Sequence, residues 1–159
     1  MSNQLMTNMV LKSWHSTIKR ADKQFESLSD EALKNEITTD KDRGVYLLGH
    51  LAAVHDMMLP LLGLGELQFP ELTSSFIRTP DDANNDKFTV KQLREYWKIA
   101  NTNLASKIEH LSPEQWLERH TSVSEEDFVK EPHRNKLNVM ISRTNHVSYH
   151  LGQLILLNK

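Results

Sequence analysis

Six apolar residues, Val90, Leu93, Trp97, Ala100, Leu104 and Ile108, recur three and four positions apart, the spacing that brings a series onto one face of a helix. Thr89 stands before them as an N-cap. The same spacing organises most of the chain. Over residues 3–28 it joins Leu5, Val10, Leu11, Trp14, Ile18, Ala21 and Phe25. Over residues 43–62, behind the capping oxygens of Thr38, Thr39, Asp40 and Asp42, it gathers Val45, Leu47, Leu48, Leu51, Val54, Met57, Met58, Leu61 and Leu62 into a wide apolar face. A last helix is predicted over residues 135–157.

Between these four helices the signals change. Ser29-Asp30-Glu31 and Ser112-Pro113-Glu114 each open a short helical turn, the second with Pro at the first helical position. Pro60, Gly63 and Gly65 end the second helix. Residues 63–87 contain Pro70, Pro80 and a polar Asp-Asp-Ala-Asn-Asn-Asp run and read as a long, mostly irregular connection. Residues 119–133 are polar and read as a crossing back over the helices. Only 5 of 159 residues are Gly, and Leu, Lys, Glu and Asn are frequent, which suits helices better than sheets. The expected class is all-α, a four-helix bundle whose long connections permit crossovers. At this length a single domain over residues 1–159 is expected.

Charge and cysteine usage narrow the chemistry. The formal net charge is -2 and the two signs are interspersed, so no basic patch invites nucleic acid. The absence of cysteine removes disulfides, thiolate metal sites and cysteine nucleophiles, leaving His, Asp and Glu to build any metal site. Residues 1–12 carry no apolar core or cleavage signal, and no stretch reads as the ~20 apolar residues of a membrane span. A cytoplasmic protein with no membrane partner is the expectation.

His146 and His150 are four apart, so on a helix their Cβ atoms lie roughly 5–6 Å from one another on one face. Arg143 and Val139 extend that stripe backward; Gln153, Leu154 and Leu157 extend it forward. Two imidazoles so placed can converge on one ion, and a third ligand is needed to complete a site. The second helix offers His50 and His55, some 140° apart at about 100° per residue, so the two do not face one ion together. Periodicity places His55 nearer the middle of the apolar arc and His50 toward its edge, and leaves both open.

Leu47-Leu48-Gly49-His50-Leu51-Ala52, followed about a hundred residues later by Asn145-His146-Val147-Ser148-Tyr149-His150-Leu151-Gly152-Gln153-Leu154, resembles the DinB-like superfamily of damage-inducible four-helix metalloproteins. The likeness extends in order over nearly the whole chain. It implies His50, His146 and His150 as the ligands of one divalent ion; an all-nitrogen site suits zinc or nickel first, with iron or manganese as further possibilities. It also implies a small-molecule substrate and pairing of two copies into a homodimer. Gly152 would let helices approach closely, and Gln153 would support a ligand or touch substrate.

Three neutral imidazoles leave such an ion its charge and an open position, which acidifies water or presents a thiolate. The resemblance implies two reactions, transfer involving a low-molecular-weight thiol and hydrolysis. A bundle that binds metal or a small molecule without turnover, as in a stress response, is the alternative. Candidate bases are Glu125, Glu126, Asp127 and His55. His15 could line a pocket, although a core or surface role is the more ordinary one; His110, His120 and His133 read as surface residues.

Overall fold

The computed structural model describes residues 3–158 and is all-helical, with no strand among the described residues. The single-domain expectation also takes in residues 1, 2 and 159, which lie outside them. Helix α1 spans Asn3–Ser27 and α2 Asp30–Leu33, the latter capped by Ser29 Oγ accepting from the Ala32 N–H at 3.0 Å. The apolar face predicted over 43–62 divides into α3, Gly44–Asp56, and α4, Met58–Leu62. Pro60 explains the division, since it has no N–H to donate to the carbonyl of Asp56. Gly63, in the left-handed region at φ 71°, closes α4, and the Leu64 N–H reaches back to the Leu59 carbonyl at 2.8 Å.

Residues 63–87 are more ordered than their composition suggests. They contain α5, Pro70–Phe76, and a short 3-10 turn, Ala83–Asn85. The buried carboxylate of Asp56 accepts from the Gln68 N–H at 3.0 Å and the Phe69 N–H at 2.8 Å, which delivers Pro70 to the start of α5. The far end is tied by Arg43. Its guanidinium donates to Asp81 at 3.0 Å and to Asp86 at 2.7 Å, and Tyr46 adds a 2.7 Å bond to the Thr79 carbonyl. These ties hold α5 against α3.

Helix α6 spans Val90–Ile108 behind a reciprocal cap: Thr89 Oγ1 accepts from the Gln92 N–H, and Gln92 Oε1 accepts from the Thr89 N–H. Ser112 and Gln115 repeat the device at α7, Pro113–Trp116. The polar stretch 119–133 includes α8, Glu125–Lys130. Helix α9, Lys136–Leu154, is capped by Asn135 and tightens into a 3-10 turn over Ile155–Leu157.

Helix α3 packs on α6 and α5, α1 packs along α9, and α3 meets α9 where the histidines lie. One core cluster joins them, from Trp14, Ala21 and Phe25 through Leu47, Leu51, Leu93 and Trp97 to Leu151 and Leu154. Contrary to the reading of the sequence, the stretch Gly44–Leu62 is long and apolar enough to cross a membrane by length and composition. It is 72% buried inside the protein, so its hydrophobicity is taken up by the core.

Candidate metal centre

His50 lies on α3, and its orientation is set by the end of α5. The last carbonyls of a helix lack intrahelical partners. That of Phe76 accepts from His50 Nδ1 at 2.9 Å. This bond places the proton on Nδ1 and leaves a lone pair on Nε2. The close approach needs Gly49, because a Cβ there would stand 2.5 Å from the ring of Phe76. Tyr46 lies parallel to His50, with ring centroids 6.3 Å apart.

On α9, His150 Nδ1 faces Gln153 Oε1 at 2.6 Å, which again leaves Nε2 as the free lone pair. His146 Nε2 is 3.2 Å from His50 Nε2 and 3.0 Å from His150 Nε2. All three ligand atoms lie within 4.8 Å of one another, and together they could hold a metal ion. Nitrogens bound tetrahedrally at about 2.05 Å stand about 3.3 Å apart, close to these separations. If His146 carried its proton on Nε2 it could satisfy one neighbour or share itself between two, and its buried Nδ1 has no partner in either tautomer. With the proton on Nδ1, three lone pairs converge, and a cation satisfies all of them. The residues present therefore fit a divalent ion.

The electrostatics favour ligation. Burial, then the neighbouring His150 and His50 and the charge of Arg143, hold the His146 pKa down to about 4. Burial also lowers His150, against the opposing effects of the Gln153 hydrogen bond and of Asp42. Neutral imidazoles are the ligating form.

His55 stands outside this cluster. It is fully buried between Trp14 and Trp97, each with a ring centroid 4.9 Å away. Its Nδ1 donates to Asn101 Oδ1 at 2.8 Å, while Asn101 Nδ2 donates to the Trp97 carbonyl, which fixes the amide's orientation. Burial drives its pKa down to about 3. Periodicity correctly placed His55 toward the core, but centrality on an apolar arc measures burial rather than ligation.

Other candidates fall away from the centre. Glu125, Glu126 and Asp127 are exposed on α8, engaged with Arg119, Lys130 and Ser124. His15, His110 and His133 are exposed. His120 departs from its surface reading: it is half-buried, and its Nδ1 is shut off from solvent without a partner. Gly152 is exposed, and a Cβ there would meet nothing within 4 Å, so it serves no close helix contact. That role belongs to Gly49. The Phe76 carbonyl and Asn101 carry no sequence signal of their own, whereas a glycine inside an apolar helix beside His50 was a usable hint.

In comparisons with known proteins, the chain matches no protein-family model and no curated protein.

Proposed function

We propose that this chain is a DinB-like four-helix bundle with long crossover connections that holds one divalent ion, zinc or nickel, on His50, His146 and His150. It acts on a small molecule in the cytoplasm as a metal-dependent enzyme, either a thiol-dependent transferase or a hydrolase. The observation that carries this reading is the convergence of three imidazole Nε2 atoms, 3.0 and 3.2 Å apart along two sides, with two of the rings turned by the Phe76 carbonyl and Gln153. The long helices α1, α3, α6 and α9, in the order the resemblance requires, support the bundle. An all-nitrogen ligand set suits zinc and nickel, with iron and manganese next.

A divalent ion at this place would supply Lewis acidity, bringing the pKa of water or a thiol toward neutrality. The chain's own part is to orient and to desolvate. The Phe76 carbonyl and Gln153 fix the tautomers of His50 and His150, and burial keeps His146 and His150 neutral. Interspersed charge gives nucleic acid no footing, and pairing of two copies follows from the same resemblance.

The test begins with elemental analysis of protein purified without an affinity tag and exposed to zinc or nickel. About one equivalent per chain is expected, lost in His50→Ala and kept in His55→Gln. A wild type that takes up no metal, or a His50→Ala variant that keeps it, overturns the site. The loaded protein is then assayed with thiols plus electrophiles, and with activated esters and amides. Metal-dependent turnover of one panel selects the reaction; turnover of neither refutes the enzyme and leaves a metal-binding protein.

A further inference from the structure

Seven arginines occur in the chain. Arg43, Arg94, Arg119 and Arg134 are held in ion pairs, and Arg20 and Arg78 are exposed. Among the arginines of the described residues, Arg143 is the one that is neither exposed nor held in an ion pair. Its Nε is shut off from solvent without an acceptor. A guanidinium taken partly out of water without a carboxylate, carbonyl or aromatic face in return is unfavourable for the folded chain alone. It becomes favourable when an anion is supplied from outside.

Its position says where that anion would lie. Arg143 is three residues before His146 on α9, so the two side chains share one face, with Cβ atoms roughly 5–6 Å apart. The charge of Arg143 is felt by both His146 and the buried His55. His146 Nδ1 and His55 Nε2 are likewise buried without partners. Arg143, His146 and His55 thus each carry a buried polar atom without a partner. No acidic side chain pairs with the guanidinium to compete for it.

We propose that Arg143 is a substrate-binding residue whose guanidinium takes a carboxylate of a small anionic substrate while another group of the same molecule lies at the three-histidine centre. The planar fork of arginine accepts a carboxylate through two parallel N–H bonds, which sets the angle of the bound molecule as well as holding it. The substrate class is therefore a carboxylic acid with a second metal-seeking group about one helical turn away. This inference rests on the metal reading above.

The test uses cobalt(II) in place of the native ion, because its visible spectrum reports ligands entering the coordination sphere. Succinate has two carboxylates and acetate one. Titrated into the cobalt-loaded wild type, succinate is expected to bind at least about tenfold more tightly than acetate, the advantage of a second charge-assisted contact. Arg143→Met, which keeps the aliphatic stem, and Arg143→Lys should each retain a full equivalent of cobalt. Arg143→Met should lose the preference, and Arg143→Lys should recover only part of it. Azide, a small ligand for the metal alone, should bind all three proteins equally. A wild type that takes up cobalt but binds succinate no better than acetate overturns this inference and leaves the metal site standing; so does an Arg143→Met protein that keeps the preference. Failure of the wild type to take up cobalt overturns the metal reading, and the inference with it.

Discussion

Protonation of His55 should unfold this protein from within. The ring is fully buried between two tryptophans, and its Nδ1 is committed to Asn101. An unfolded histidine titrates near 6.5, whereas burial brings the folded value down to about 3. Between those pH values the unfolded chain binds more protons than the folded one. The contribution of His55 to stability is thus fully present above pH 6.5 and is lost as the pH falls toward 3. The whole difference corresponds to about 5 kcal/mol, of which about 2 kcal/mol falls between pH 7.5 and pH 5.0. The assay is urea denaturation of metal-free wild type and His55→Gln at both pH values. Glutamine can still bond to Asn101 but does not titrate. Contributions from His146 and His150 are common to both proteins and cancel, so the wild type should lose about 2 kcal/mol more than the variant. Equal losses would refute the account of His55 as a group kept neutral by burial.

Two further outcomes follow from the same geometry. Replacing Gln153 with Leu removes the acceptor that orients His150 and should weaken zinc binding about 10–100-fold in competition with a chromophoric chelator, while Gln153→Glu retains it; unchanged affinity in Gln153→Leu would deny the orienting role. Gly49→Ala drives a methyl into the Phe76 ring and should cost about 1–3 kcal/mol, whereas Gly152→Ala meets open space and should stabilise α9 by up to about 1 kcal/mol. Thermal denaturation compares the two, and the opposite order would be decisive against this assignment of the glycines.

The 3.6-residue period carried the long helices because burying one face of each is a local requirement written into residue spacing. Val90 through Ile108 are all buried on one side of α6, as their intervals demand. The short elements were harder to read. Helix α5 depends on Asp56, twelve residues away, accepting the N–H of Gln68, and on Arg43 gripping Asp81 and Asp86. Such long-range side-chain bonds leave no period in the segment they organise. The break at Met57 has a local cause instead: Pro60 signals an end of the helix in the sequence, and in the structure it divides α3 from α4.

For the site, the sequence by itself determined that His146 and His150 share a face, since both belong to one helix and four residues make about one turn. It left His50 and His55 in competition for the third place, and only the family resemblance preferred His50. The tertiary structure brings His50 to the pair and encloses His55 between Trp14 and Trp97. The physical reason is that ligation depends on where side chains from separate helices converge. That convergence is set by the packing of α3 against α9 and by the carbonyl of Phe76 at the end of α5, neither of which is encoded in the spacing along α3 itself.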